Sequence, residues 1–280
     1  MNRTDIERMR VIRPDETFKL DRMRALLEEL GNPQDQIKTV HVAGTVGKGS
    51  TVAMISAMLQ HCGYAVGEFT SPHLIELRER IRIGGQIINR ATFTALMKTI
   101  AEAAESIKQE PTYFEVLTAI AFKYFADEAV DVALIETGLG GRLDSTNVIT
   151  PEVSVITRVA MDHERILGST IEEIALEKAG IMKPDVTTLI FDQGPEVEEV
   201  FRTYAEKVGA RLQIVNKDIE FSNRFCSTSE LGPHTRVCLY TEHSRLEHLP
   251  VPLAGTHQAT NCGLALAVVD MLKNSGFECP

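Results

Sequence analysis

The stretch HVAGTVGKGST, residues His41–Thr51, fixes the expected architecture. It begins inside the short apolar run Thr39–Ala43 and leads into Ser50–Cys62, where apolar residues recur at helical spacing. A strand that turns through glycines into a helix is typical of a phosphate-binding loop, because backbone N–H groups can close around phosphate oxygens and the helix N-terminus favours an anion. Lys48 adds a positive charge at the same point. The sequence therefore predicts a phosphate site here.

Two positions depart from the strict phosphate-loop pattern GxxxxGK[ST]. That pattern needs glycine at Val42 and Ser or Thr at Gly49. On the loop alone, a tight strand-to-helix turn without a ligand stays open as the alternative.

The rest of the chain alternates between strand and helix patterns. Strands are predicted at Thr39–Ala43, Tyr64–Phe69, Val130–Ile135, Val153–Thr157 and Val186–Phe191, with a hairpin in Arg80–Ile88. Helices are predicted at Phe18–Leu30, Ser50–Cys62, Thr92–Lys108, Phe114–Phe125, Ile171–Ala179 and Asn261–Lys273. Such alternation predicts an α/β fold with a doubly wound, mostly parallel sheet, whose ligands bind beyond the carboxyl ends of the strands. Ile219–Phe225 and Arg236–Tyr240 predict a small antiparallel sheet at its edge.

The composition narrows the class of protein. The 280 residues are 44% hydrophobic and 24% charged, which is typical of a folded globular protein and argues against disorder. A net charge of -10 argues against a nucleic-acid partner. The five cysteines have no zinc-type spacing, and no apolar run has the length of a signal peptide or membrane span, so we expect a cytoplasmic protein without a membrane partner.

Four residues outside the loop are candidates for chemistry. Glu136 ends an apolar strand, where a Mg²⁺ ligand would lie beside bound phosphates; a capping or ion-paired Glu is the alternative. Ser71 could place a hydroxyl on the metal, or only begin a Ser-Pro turn. His163 could be a metal ligand or proton carrier, although a lone histidine is more often structural. Lys178 closes a helix, where any cation suits the dipole.

Several separate motifs together resemble the folylpolyglutamate synthase/dihydrofolate synthase branch of the Mur ligase family. They cover nearly the whole chain: HVAGTVGKGST, TSPHL, YFEVLTAIAF, IETGLGGRLDSTNVI, MDHERILGSTIEEIALEKAGI and HQATN. The resemblance implies a phosphate-loop ATPase domain of Mur ligase type that uses ATP and Mg²⁺. Its expected reaction transfers the γ-phosphate to a carboxylate of a pterin-bearing substrate. The amine of L-glutamate then attacks the acyl phosphate and expels phosphate.

The resemblance also implies roles for individual residues. The expected ATP-binding residues are Thr45, Val46, Gly47, Lys48, Gly49, Ser50 and, at the adenine, Asn261. The expected pterin-substrate residues are Thr112, Leu143, Asp144 and Ser145, and the expected Mg²⁺ residues are Ser71, Glu136 and His163. Lys48, His163 and Lys178 are the expected catalytic residues, and Lys178 matches a lysine that becomes carbamylated in the family.

Two features depart from the family pattern. Val46 replaces an Asn of the usual loop GTNGKGS, which removes a polar contact but keeps the backbone donors. Residues 1–280 correspond to the ATP-binding part, so we expect the C-terminal glutamate-binding domain to be absent from this chain. A non-catalytic nucleotide-binding remnant and a phosphate-loop kinase remain alternatives. The expected partners are a folate or dihydropteroate and L-glutamate, with the chain as a monomer.

Overall fold

A computed structural model describes residues 20–251 and 253–279 of the chain. The first predicted helix spans Leu20–Glu29 within this range, and Phe18, which the prediction included, lies outside it. None of the helices in the described part of the chain is long and apolar enough to cross a membrane.

The described residues form helices and strands in an alternating order. The helices are α1 (Leu20–Glu29), α2 (Lys48–His61), α3 (Arg90–Ser106), α4 (Tyr113–Asp127), α5 (Glu164–Leu167), α6 (Ile171–Ala179), α7 (Pro195–Val208) and α8 (Thr256–Leu272). The strands are β1 (Thr39–Ala43), β2 (Val66–Phe69), β3 (Ile81–Ile83), β4 (Gln86–Ile87), β5 (Val132–Glu136), β6 (Val153–Ile156), β7 (Thr187–Phe191), β8 (Arg211–Val215), β9 (Glu220–Thr228), β10 (Gly232–Tyr240) and β11 (Arg245–Pro250).

Eight of these strands form one sheet in the order β4-β3-β2-β5-β1-β6-β7-β8. Neighbouring strands in the run β2-β5-β1-β6-β7-β8 are parallel. Strands β3 and β4 add an antiparallel edge next to β2. Every residue of β1, β2, β5 and β6 is buried, as expected for central parallel strands covered on both faces. The prediction of a doubly wound, mostly parallel sheet is confirmed.

Alternate residues of the central strands enter different cores. Val132 and Leu134 of β5 join the cluster formed with α2 and α8, while Ala133 and Ile135 join the cluster formed with α1, α3 and α4. A third cluster lies under α6 and α7. The sheet is therefore the middle of three layers, and its strand ends remain available for ligands.

The small antiparallel sheet is present, but its strands pair only with one another. Its order is β11-β10-β9, separate from the main sheet that the sequence pattern attached it to. Val237 and Leu239 are buried on its inner face, and Phe221 lies so close to Gly263 of α8 that an added Cβ there would come within 2.6 Å of the ring. Packing on α8, rather than edge hydrogen bonding, fixes this sheet in place.

The sequence patterns also missed some elements. They did not identify α5, α7, β8 or β11, and they placed the start of the last helix at Asn261 instead of Thr256. The first turn of α8 is polar, so it carries no apolar periodicity to extend the pattern. Helix α7 buries only Val197, Phe201 and Ala205 among charged residues.

Candidate active site

Four neighbouring strands bring their carboxyl ends to one edge of the sheet. Strands β2, β5, β1 and β6 are adjacent and parallel. The glycine loop follows β1, Glu136 ends β5, Ser71 lies after β2 and His163 lies after β6. Segments far apart in sequence therefore reach the same edge, which is where open α/β sheets bind ligands.

Glycines are required in the loop between β1 and α2. Gly44 has φ 146°, and a Cβ there would lie 1.8 Å from Thr157 Oγ1. Gly47 caps α2 with φ 99°, and a Cβ there would lie 2.4 Å from Asn261 Oδ1. Both positions combine a left-handed backbone with a close neighbour, so only glycine fits.

Part of the loop backbone is already engaged within the protein. The N–H groups of Thr45 and Val46 donate to the carbonyl of Arg158, at 2.9 and 3.2 Å. The Thr45 hydroxyl donates to the Ala160 carbonyl and accepts from the Ala160 N–H, both at 3.1 Å. Donors for a ligand therefore come chiefly from the first turn of α2, whose N–H groups have no partner within the helix. The predicted role of Val46 as an ATP-binding residue stays a prediction, and its side chain is half exposed.

Lys48 and Glu136 face each other across this edge. Lys48 Nζ donates to the Gly44 carbonyl at 3.1 Å and lies 3.7 Å from Glu136 Oε1. A Cβ added to Gly49 would be 3.9 Å from Glu136 Oε2, so the position that usually carries Ser or Thr also faces this carboxylate. Glu136 is only 3% exposed. A buried carboxylate held beside the loop lysine is suited to a cation that bridges phosphates.

The carboxylate of Glu136 accepts few hydrogen bonds from its surroundings. The Ser71 N–H donates to Glu136 Oε2 at 3.2 Å. Burial raises the pKa of Glu136 to about 7, against the opposing effects of Lys48, the Ser71 N–H and Arg80. Arg80, which the sequence patterns did not single out, is buried and donates from Nε to His73 Nδ1 at 3.0 Å. An added positive charge at this point would favour the ionised carboxylate.

Lys178 is buried in α6 and lies near the same charges. It is 3% exposed, and burial lowers the pKa of Lys178 to about 8. The positive charge of Lys48 lowers the pKa of Lys178 further, while Asp162, Asp144 and Glu177 raise it. Within the described residues its ammonium donates no hydrogen bond to the protein. Burial, a lowered pKa and the missing hydrogen bond together distinguish Lys178 from an exposed lysine that only stabilises a helix end.

His163 is not brought into contact with Glu136 or Ser71. It caps the short helix α5 with φ 51°, its side chain is 41% exposed, and Nε2 lies 3.6 Å from Asp162 Oδ2. Across residues 20–251 and 253–279, no three His, Cys, Asp or Glu side chains are grouped to hold a metal ion. Mg²⁺ usually keeps several waters and takes one or two carboxylates, so Glu136 and the Ser71 hydroxyl fit a phosphate-bound Mg²⁺ better than an all-protein cage.

Asn261 joins α8 to the phosphate-type loop. Its Nδ2 donates to Gln258 Oε1 at 2.9 Å, and Gln258 Nε2 reaches Ser50 Oγ at 3.4 Å. With the Asn261 amide against Gly47, two polar side chains of α8 therefore border the loop. The motif HQATN identified Asn261 in the sequence, but the contact of Asn261 with Gly47 depends on packing between distant segments.

Asp144 organises the loop that follows β5. Its Oδ2 accepts from the N–H groups of Gly138 and Leu139, both at 2.9 Å. Its Oδ1 accepts from the Thr146 N–H at 3.0 Å and the Thr146 hydroxyl at 2.5 Å. Both oxygens are thus occupied by the loop itself, although burial still raises the pKa of Asp144. The predicted substrate role of this residue stays a prediction, with a structural role now observed beside it.

The other predicted substrate residues line the junction of this loop with α4. Thr112 is the N-cap of α4, accepting from the Glu115 N–H at 3.3 Å. Ser145 Oγ lies 3.0 Å from Thr118 Oγ1, and Leu143 is partly buried. Phe114, which the sequence reasoning did not select, closes the junction because its ring lies against Gly138. The loop after β5 and helix α4 therefore contact each other at two points, Ser145 with Thr118 and Gly138 with Phe114.

This arrangement defines a phosphate-loop α/β domain, and comparison with known proteins gives its family. The sequence profile of the Mur ligase middle domain matches residues 42–269. Dihydrofolate synthase/folylpolyglutamate synthase of Bacillus subtilis is 43% identical over 263 residues, which are 92% of this chain and 60% of that protein. Folylpolyglutamate synthase of Lacticaseibacillus casei is 38% identical over 250 residues, which are 88% of this chain and 58% of that protein.

Solved structures agree with the sequence comparison. The apo form of L. casei folylpolyglutamate synthase matches with a TM-score of 0.88 at 33% identity, covering 100% of this chain and 69% of that one. A folylpolyglutamate synthase complex with AMPPCP and folate matches with the same TM-score at 34% identity and the same coverage. The chain belongs to the Mur ligase family, in its folylpolyglutamate synthase/dihydrofolate synthase branch. It spans about 60% of the length of the B. subtilis relative.

Proposed function

We propose that this chain is the ATP-binding part of a ligase that adds L-glutamate to a folate or dihydropteroate. The observation that carries the proposal is the pair of partly buried Lys48 and buried Glu136, 3.7 Å apart, at the start of α2 and the end of β5. Related proteins have been solved with AMPPCP and folate bound, which supports ATP and a pterin as ligands here. The proposal treats residues 1–280 as one ATP-binding unit and leaves the glutamate site to the remainder of a whole enzyme.

In this mechanism the phosphates lie over the first turn of α2. Its N–H groups and Lys48 hold the β- and γ-phosphates, while Gly47, Gly49 and Ser50 allow the backbone to approach them. Glu136 and Ser71 would hold Mg²⁺, which when bound would supply charge neutralisation at the phosphates. Asn261, whose amide lies beside Gly47, is proposed to contact the adenine. Phosphoryl transfer then needs mainly alignment and charge neutralisation from these residues.

Lys178 and His163 are assigned to the second part of the site. A pKa of about 8 leaves a useful fraction of Lys178 as the neutral amine, which is the form that reacts with CO₂ to give a carbamate. A carbamylated lysine would carry a negative charge toward Lys48 and a second Mg²⁺. His163 is assigned to the metal as well; its side chain is exposed beside Asp162, so the segment before α5 would have to move for it to reach Glu136.

The pterin substrate is assigned to Thr112, Leu143, Asp144 and Ser145. The last three lie in the loop that follows Glu136 and Thr112 lies at the start of α4, so a substrate bound there is proposed to direct its carboxylate toward the γ-phosphate. The chain is proposed to act as a monomer in the cytoplasm.

Calorimetry with AMPPCP and Mg²⁺, and trapping of an acyl phosphate with hydroxylamine in the presence of ATP and dihydropteroate or tetrahydrofolate, test this proposal. Binding that needs Mg²⁺, together with a hydroxamate that forms only with the pterin, is the expected result. Lys48→Ala should lose both signals. Nucleotide binding without hydroxamate would favour a non-catalytic remnant, and a stable phosphorylated product insensitive to hydroxylamine would favour a kinase.

A further inference from the structure

The loop after β5, which carries three of the assigned substrate residues, also caps the end of helix α6. Carbonyl groups in the last turn of a helix have no partner within it. The Arg142 N–H donates to the Glu177 carbonyl at 2.7 Å, and the Asn147 amide donates to the Gly180 carbonyl at 2.9 Å. Two groups of this loop therefore satisfy backbone acceptors on both sides of Lys178.

Two glycines allow the loop to lie directly on the helix backbone. A Cβ added to Gly141 would lie 2.7 Å from the Glu177 carbonyl oxygen and 3.1 Å from Lys178 Cα. A Cβ added to Gly180 would lie 2.3 Å from Arg142 Cβ. No side chain fits at either position unless the loop and the end of α6 move apart. The backbone of Lys178 is therefore packed against the loop without an intervening side chain.

Asn147 joins the loop to the end of α6 through its side chain, which is buried with the residue only 4% exposed. Its Nδ2 donates to the carbonyls of Arg142 and Gly180, at 3.0 and 2.9 Å. Its Oδ1 accepts from Lys183 Nζ at 2.8 Å. The reverse orientation would set Oδ1 against two carbonyl oxygens and Nδ2 against an ammonium group. Lys183 therefore helps to fix the amide in the orientation that bonds the helix end.

We propose that Asn147, oriented by Lys183, is a positioning residue that holds the loop after β5 and the end of α6 as one unit and so sets the place of Lys178. The inference rests on the proposed function in one respect, which is the assignment of Lys178 to the site. Leu143–Ser145, assigned to the substrate, belong to the same loop. Substrate contacts and the Lys178 side chain therefore keep a fixed relation to each other.

Asn147→Asp isolates the two donated hydrogen bonds. A carboxylate has nearly the size of the amide and can still accept from Lys183, but it sets an acceptor against the carbonyls of Arg142 and Gly180. The last turn of α6 should then open more often. Arg142→Ala is the matched control, because it removes an exposed ion pair with Glu177 and keeps the backbone N–H on the Glu177 carbonyl.

Lysine labelling with acetic anhydride, quantified by mass spectrometry, tests the place of Lys178 in the native chain without nucleotide. Lys178 is buried, Lys48 is partly buried, and the exposed Lys98 in α3 serves as the internal reference. Relative to Lys98, labelling of Lys178 should rise about tenfold in Asn147→Asp and stay within about twofold of the wild type in Arg142→Ala. Labelling of Lys48 should stay within about twofold of the wild type in both variants. Urea unfolding checks that each variant is folded under the labelling conditions.

Lys183→Met is the milder variant, and it carries the test if Asn147→Asp does not fold. It leaves Asn147 in place and removes the ammonium group that orients the amide, so labelling of Lys178 should rise by about threefold. Unchanged labelling of Lys178 in either folded variant, or a rise that is equal at Lys48, would overturn the proposal.

The hydroxylamine assay separates this proposal from the function on which it rests. In Asn147→Asp, the bicarbonate concentration for half-maximal acyl phosphate formation should rise about tenfold, because Lys178 is in place for a smaller fraction of the time. The Kd of AMPPCP should stay within about twofold of the wild type, since the contacts of α2 with phosphate are untouched. An unchanged bicarbonate dependence would contradict the positioning role. A wild type that forms no hydroxamate would count against the proposed function, and the labelling of Lys178 would still decide the role of Asn147.

Discussion

Glu136 and Asp144 are two buried carboxylates, one at the end of β5 and one within the loop that follows it, and they differ in how many partners the protein gives them. Asp144 accepts four hydrogen bonds from its own loop. Glu136 accepts one backbone hydrogen bond and has Lys48 at 3.7 Å. Burial raises the pKa of both groups. A buried acid with spare acceptors is suited to a ligand, whereas an acid with its acceptors filled holds the backbone.

Exchange of each carboxylate for its amide tests this difference most directly, and Glu136→Gln should have the largest effect. Loss of the proposed metal ligand should reduce Mg²⁺-dependent acyl phosphate formation by about 100- to 1000-fold. The hydroxylamine assay measures this loss. Activity close to that of the wild type would remove Glu136 from the site.

The same substitution should make the protein more stable at pH 8. The pKa of Glu136 is raised from 4.5 to about 7 in the folded state, so between these values the folded protein binds more protons than the unfolded chain. The contribution of Glu136 to stability therefore falls as pH rises through this window, by about 3 kcal/mol in total. Glu136→Gln lacks this loss, and urea unfolding at pH 5 and pH 8 measures it.

Asp144→Asn is the matched substitution, and it should destabilise the protein by about 3 kcal/mol. An amide presents N–H groups where the carboxylate now accepts from Gly138 and Leu139, so either these donors or those of Thr146 lose their acceptor. Urea unfolding at pH 7 compares the variant with the wild type. Equal stability of Asp144→Asn and wild type would show that the loop does not depend on this carboxylate.

Lys178 is a buried cation that, like Glu136, has few hydrogen-bond partners among the described residues. Lys178→Arg should lower acyl phosphate formation by about 100-fold, because arginine keeps the charge but cannot form a carbamate. Added bicarbonate should stimulate the wild type and leave the variant unchanged. Full activity in Lys178→Arg would contradict the carbamate role, whatever the outcome for Lys178→Ala.

His41 extends the hydrogen-bonded chain of Asp144 and should give the smallest effect. Its Nε2 lies 2.9 Å from the Thr146 hydroxyl, which itself donates to Asp144. Burial, and then the charge of Lys183, lower the pKa of His41 from 6.5 to about 3. The unfolded chain therefore binds more protons at this site between these values, so the contribution of His41 to stability falls as pH decreases below 6.5, by about 2 kcal/mol from pH 7 to pH 5.

Urea unfolding of His41→Gln at the same two pH values isolates this contribution. The variant should lose about 2 kcal/mol less than the wild type over that interval. An identical loss in both proteins would show that His41 becomes protonated without cost in the folded state.

Much of the main sheet and of its ligand-binding edge could be predicted, because the sequence patterns that identify them extend over only a few residues. Strand β1 and helix α6 have the bounds that their patterns gave, and the apolar strand before Glu136 placed this carboxylate at a strand end. The glycine loop was recognisable because residue types and spacing suffice for its turn. Helix α7 was missed because its few buried residues are diluted by charged ones.

The candidate site was less predictable wherever it depends on side-chain partners. Sequence gave Asp144 as a substrate residue, but its filled acceptors depend on how the loop folds back on itself. It gave His163 and Glu136 as one metal set, but the structure leaves His163 exposed beside Asp162. Arg80 had no local signal, since its proximity to Glu136 arises from the pairing of β2 with β3 and β5.

Local patterns along the chain were thus enough for the α/β class, the phosphate-type loop and the strand-end position of Glu136, because periodicity and glycine spacing act within a few residues. Tertiary packing settled which buried groups have partners. The contact of Asn261 with Gly47, the burial of Lys178 and the separation of the small sheet all join segments distant in sequence. Burial and hydrogen-bond supply are properties of the assembled fold, and they distinguish the acid that can take a ligand from the acid that holds a loop.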